Sequence, residues 1–205
     1  MSDFGTERVP MMPPVPTAGI EAIGASTRGL FYDGGAEASC AIDLVSLVEQ
    51  LPAYGIHVYP ASAVELEDRL AATVPIATEK DETHILIQQS LWHELLDGGR
   101  AANRARATLA HELGHAILHV PILRRRMSLP NAETLLNRKM RRDEIPPYRD
   151  PEWQAWAFAG NFLAPRAAIL ASGENTVQAL ADRFEVSGSM MRSHLKRLKL
   201  LGRYE

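Results

Sequence analysis

The sequence has little of what would set it apart from ordinary water-soluble chains. One cysteine, Cys40, in 205 residues excludes an internal disulfide and a cysteine-rich metal site. No stretch approaches the ~18 consecutive apolar residues of a membrane-spanning helix, so no membrane partner is expected. An excess of one charge is also missing. A net charge of -3 gives no overall pull toward nucleic acid or anionic lipid. Met1 to Gly35 lacks the basic start and unbroken apolar core of a signal peptide. Together with the lone cysteine this points to the cytoplasm.

What is present suffices for one core: 46% of the residues are hydrophobic and 23% charged. Pro10, Pro13, Pro14 and Pro16 interrupt the N-terminus, and residues 1–40 read as a disordered leader. Apolar positions at helical spacing predict a helix over Ala41 to Leu51, closed by Pro52. A short strand is expected at Gly55 to Tyr59. Ser62-Ala63-Val64-Glu65 is a capping box for a helix to about Ala71, and Thr73 to Ala77 is a further strand candidate. The alternation of Ile85 and Ile87 makes Thr83 to Leu91 the clearest strand and the expected border of a cleft. Asp97-Gly98-Gly99 lies in the loop that follows.

The chemistry concentrates in the next helix, expected from Ala101 to His119 and ended by Pro121. His111 and His115 stand four apart, so on a helix their Cβ atoms lie about 6 Å apart on one face, close enough to share a Zn²⁺ ion. Glu112 follows His111, turned by about 100° from it, where its carboxylate can serve as general base toward a water. A catalytic zinc usually has three protein ligands. His119, eight residues after His111, lies about 12 Å along the axis, too far to share an ion with it. The remaining candidates are Glu133, in a poorly patterned stretch, and Glu152. The latter is better placed: Asp150 is an N-cap, Pro151 the first helical residue and Glu152 part of the first turn of a helix that stops before Pro165.

Between these helices, residues 120–149 form a basic insert with eight Lys and Arg against three acids. It reads as a solvated segment, with DNA contact not favoured. The tail, Glu174 to Glu205, predicts two helices joined at Glu185-Val186-Ser187. The pair is helix-turn-helix-like, except that Glu185 occupies the turn where Gly is usual.

Arg106-Ala107-Thr108-Leu109-Ala110-His111-Glu112-Leu113-Gly114-His115, followed by Glu152-Trp153-Gln154-Ala155, Phe158-Ala159 and Leu163-Ala164-Pro165, resembles the ImmA/IrrE family of zinc metallopeptidases. Ala107, Gln154 and Ala164 depart from that pattern at an aromatic, a second Glu and a Met. The resemblance implies an α+β, zincin-like core over residues 41–170, mainly helical with a small sheet, then a helical segment over 171–205. It further implies zinc held by His111, His115 and Glu152, with Glu112 as base. The protein substrate would be a helix-turn-helix repressor, cut in stress or mobile-element control. Tyr148 and His119 are candidates to steady an oxyanion. The alternative is a non-catalytic DNA-binding or antitoxin-like regulator that keeps the zinc fold.

Overall fold

A computed structural model describes residues 8–32, 34, 38–75, 82–130 and 139–205. In chain order the elements are β1 (Arg8–Pro10), α1 (Thr17–Phe31), α2 (Leu44–Gln50), β2 (Ile56–Ala61), β3 (Ala71–Pro75), β4 (Thr83–Gln88), α3 (Gln89–Asp97), α4 (Gly99–Leu118), α5 (Val120–Met127), β5 (Lys139–Arg141), α6 (Pro151–Leu163), α7 (Arg166–Ala171), α8 (Val177–Arg183) and α9 (Gly188–Arg197). The architecture is α+β, mainly helical around a three-stranded sheet, with the small helical core of a zincin. No described helix is long and apolar enough to cross a membrane.

The centre is the pair α4 and α6, which touch along most of their length. Gly114 explains the closeness: a Cβ there would stand 3.1 Å from the backbone of Ala155. Gly160, also on α6, does the same for α9, where a Cβ would fall 2.4 Å from Nδ1 of His194. Gly114 costs about 1 kcal/mol in helix propensity, and the approach of α6 to the α4 backbone is what that residue permits.

The sheet has the order β2-β4-β3, with β4 parallel to β2 and antiparallel to β3. Thr83, Ile85 and Ile87 are buried, so one face of β4 packs on the helices. The expected cleft border at β4 is therefore corrected: β4 is the central strand, β2 and β3 are the edges, and β3 is the edge beside Glu112. Sequence periodicity reports which face of a strand is buried, but not its place in the sheet. The capping box at Ser62 forms, with Ser62 N–H donating to Glu65 Oε2 at 2.7 Å. No helix follows, because Glu67 and Asp68 turn to φ 50° and 60°. The loop expected before α4 contains α3.

The leader expectation is also corrected. Residues 17–31 form α1 against α6. The buried face of α1 is Ile20, Gly24, Thr27 and Arg28, whose small and polar members hide its periodicity. A Cβ on Gly24 would meet Asn161 at 2.8 Å. The Arg28 guanidinium donates to the carbonyls of Phe162 and Leu163 at the end of α6, and to that of Cys40 at 2.6 Å, which satisfies helix-end acceptors that would otherwise be orphaned.

In the basic insert, Arg124 donates to the Glu82 carbonyl, Arg126 to that of Met11, and Arg142 pairs with Asp150 at 3.0 Å. These guanidiniums serve as internal clamps, which charge counting alone does not predict. β5 pairs with β1 in antiparallel register. Glu133 and the short helix that Leu135 and Leu136 allow lie outside the described residues.

The C-terminal helix pair shares the main core through Leu180, Phe184, Met191 and Leu195. Glu185 takes φ 51° at the turn, a left-handed conformation that costs a non-glycine residue roughly 1 kcal/mol. Arg106 holds it there, donating to its carbonyl at 3.0 Å and pairing with its carboxylate at 3.2 Å. His194 is fully buried, with Nε2 donating to the Ala164 carbonyl at 2.9 Å.

Burial lowers the pKa of His194 to about 4. In the unfolded chain the ring protonates near ~6.5, so as pH falls through that value the unfolded state gains a proton that the folded state refuses. Stability is full above the unfolded pKa and declines toward the folded one. Between pH 7 and 5, urea unfolding should show the wild type losing about 2 kcal/mol more than His194→Gln, which keeps a donor but does not titrate. Equal losses would contradict a neutral buried His194.

Candidate metal centre

Three donors converge where α4 meets the first turn of α6. Nε2 of His111 and Nε2 of His115 lie 3.0 Å apart. The Glu152 carboxylate faces both, Oε2 at 3.2 Å from His111 and Oε1 at 3.2 Å from His115. All three ligand atoms fall within 4.8 Å of one another, and this is the only such group of three or more potential ligands among the described residues. Local rules produce each half. Helical spacing aligns the histidines on one face. Asp150 caps α6, accepting from Glu152 N–H at 3.0 Å, and so sets the start of the helix that carries Glu152.

Electrostatics reinforces the geometry. Burial would raise the pKa of Glu152, but its hydrogen bonds to His111 and His115 hold it well below the usual carboxylate range. Burial also opposes charge on His115. The Glu152 hydrogen bond and charge outweigh this, with help from Glu112 and Asp150, and raise its pKa.

The tautomers follow from one amide. The Gln154 NH₂ donates to the carbonyls of Pro13 at 3.0 Å and Tyr148 at 2.8 Å. Its Oε1 therefore faces His119 Nε2, at 2.9 Å, as acceptor. His119 must carry its proton on Nε2. Burial, with the charge of His115 adding to it, keeps the ring neutral, its pKa lowered to about 4. Its Nδ1 then accepts from Nδ1–H of His115 at 2.9 Å, so the His115 proton shared with Glu152 sits on Nε2, and its release when a metal ion binds would leave the Nε2 lone pair facing the cluster. This is the outer-layer support a metal-ligating histidine requires. The donor set of two imidazole nitrogens and one ionised carboxylate, with a fixed tautomer on His115, fits a zinc-type ion with an open position.

Gln154, a departure from the family pattern at sequence level, is thus the residue that orients His119 and through it His115. Its pairing with His119 spans 35 positions, so no local signal could have revealed it. His119 sits in this support layer, with both ring nitrogens engaged. Gln154→Leu should weaken zinc binding ten- to hundredfold, read by competition with a chromophoric chelator. An unchanged affinity would remove the relay from the account.

Glu112 is buried beside the ligands and is not one of them. The hydroxyl of Thr73, on edge strand β3, lies 2.7 Å from its Oε2 and 3.0 Å from its carbonyl oxygen. Thr73 was not recognisable from sequence as a functional residue. Trp156 covers the other side, its ring centroid 4.3 Å from that of His111. Of the four residues the sequence singled out, the structure gathers His111, His115 and Glu152 into one donor set and sets Glu112 next to it. Tyr148, the other candidate to steady an oxyanion, has an exposed side chain, and its backbone carbonyl accepts from Gln154 Nε2 and Val15 N–H.

Comparison with known proteins accords with this geometry. Residues 95–196 match the family profile of the IrrE N-terminal-like domain, Peptidase_M78, a span that contains α4, α6 and both helices of the C-terminal pair up to Lys196. Neither the curated proteins nor the solved structures give a match to this chain. Through residues 95–196 the chain belongs to the ImmA/IrrE family, a metallopeptidase-like family.

Proposed function

We propose that the protein is a zinc-dependent endopeptidase that cuts a regulatory protein, with His111, His115 and Glu152 holding the ion. The single observation that carries this reading is the convergence of the three donor atoms beside a buried, non-ligating carboxylate, Glu112. When bound, zinc would supply Lewis-acid polarisation of a peptide carbonyl and a water acidified toward pKa ~7. The protein supplies the rest. Glu112 takes a proton from the attacking water and returns it to the departing amine nitrogen, which leaves its carboxylate unchanged at the end of the cycle. Thr73 holds that carboxylate in place through its hydroxyl.

The same strand offers a way to bind substrate. Among the described residues β3 pairs only with β4, so its outer edge can accept an extended peptide by strand addition. A flexible segment can reach this edge, and a folded surface cannot. The regulatory target we favour is a helix-turn-helix repressor, in a cytoplasmic setting that suits the lone cysteine. The alternative of a non-catalytic DNA-binding regulator is the weaker reading, because on α9 His194 bonds to the Ala164 carbonyl, Arg197 donates to that of Trp156 at 3.4 Å and Arg192 pairs with Glu205, so three of its four basic residues are engaged within the chain.

Metal removal tests the proposal. The zinc-loaded chain, incubated with protein extract from its own source cells, should generate new N-termini. These should disappear after treatment with 1,10-phenanthroline and return when zinc is restored. New termini that persist without metal, or none at any stage, would overturn it.

A further inference from the structure

A cavity of about 650 Å³ opens between the N-terminal half of α4, the start of α9 and Trp156 of α6. Its size is that of a ligand site. Its charge has one sign: Arg100 and Arg104 from α4 and Arg197 from α9 line it, with the hydroxyls of Ser187 and Ser193, and no carboxylate does. Arg100 lies 3.8 Å from Asp182, outside the cavity wall, and Arg197 donates to a backbone carbonyl. Among the described residues Arg104 has no ion-pair or hydrogen-bond partner. Burial lowers the pKa of Arg197, with no neighbouring carboxylate to offset it. An anion brought into this space would relieve both conditions.

The cavity adjoins the metal centre through shared wall residues. Trp156 forms its wall and also packs, tilted by 41°, against the ring of His111. Thr108, another wall residue, is one helical turn before His111. Leu70 lines the cavity and leads directly into β3, where Thr73 bonds to Glu112. Two separate routes give the distance. From Leu70 to Thr73 is three residues of strand, about 10 Å. From Arg104 to His111 is seven residues of helix, again about 10 Å. An extended peptide on the edge of β3 covers that span with about three residues.

We propose that this cavity is a substrate subsite that receives an acidic side chain, Asp or Glu, about three residues from the bond cut at the metal centre. The inference rests on the peptidase reading above and adds a chemical preference to it. Guanidinium and carboxylate match in shape and charge, and their paired hydrogen bonds are stronger than neutral ones. Segments carrying Lys or Arg at that position are repelled by the same three guanidiniums.

The test reads binding without cleavage. Full-length, zinc-loaded Glu112→Gln is titrated by calorimetry with N-acetylated, amidated penta-glutamate, with penta-lysine of the same form, and with inorganic phosphate. Penta-glutamate should bind at least tenfold more tightly than the other two. Arg104→Glu should weaken it at least tenfold, and Arg104→Gln by less. Arg104 is exposed, so neither change disturbs the core. Equal binding of the two peptides, phosphate binding as tight as penta-glutamate, or no response to Arg104→Glu would each overturn the subsite. Because cleavage is not the readout, this result stands or falls apart from whether the wild type cuts a protein.

Discussion

Glu152→Ala is expected to weaken zinc binding by more than ~100-fold, beyond the range seen when an outer-layer partner of a metal ligand is lost. The substitution removes the only anionic donor and the only one supplied by α6. Two imidazoles, both from α4, remain 3.0 Å apart, and two protein ligands are too few for a stable catalytic site. A second readout follows from mass action. Zinc stabilises the folded chain in proportion to how far its concentration exceeds the dissociation constant. The rise in unfolding temperature on adding zinc should therefore be present in the wild type and absent in Glu152→Ala. Metal-free Glu152→Ala should itself be less stable than the wild type near neutral pH, because the contacts to His111 and His115 that hold the Glu152 pKa low are lost, so the zinc-induced rise is compared within each protein. Unchanged zinc affinity in the variant would move the third ligand elsewhere, with Glu133 the first position to examine.

How much of this was legible in the sequence depends on the range of the interaction. His111, Glu112 and His115 are set by helix geometry within a single turn, and Glu152 by a cap two residues before it. Both halves of the donor set could therefore be read from short stretches. The support layer could not. Gln154 meets His119 across 35 positions and Pro13 across 141, and only the folded chain brings them together. Strand order failed for the same reason. β4 has the clearest alternation, but alternation reflects a buried face, and the edge that meets Glu112 belongs to the shorter β3. The helix α1 was obscured by composition, because its contact face uses Gly24, Thr27 and Arg28 where an apolar stripe is the usual sign. The capping box at Ser62 shows the converse, a correct local signal with no helix after it.

Glu112→Gln tests the central claim most directly. Glutamine preserves the size of the side chain and still accepts from the Thr73 hydroxyl, so the fold and the three ligands should be undisturbed. It cannot take up a proton, and loss of a positioned general base typically costs on the order of 10²–10⁴ in rate. The decisive measurement pairs zinc content with new N-termini generated in source-cell extract, for wild type and Glu112→Gln side by side. The account predicts one zinc per chain in both proteins and new termini from the wild type alone. Undiminished cleavage by Glu112→Gln, at equal zinc content, would contradict it.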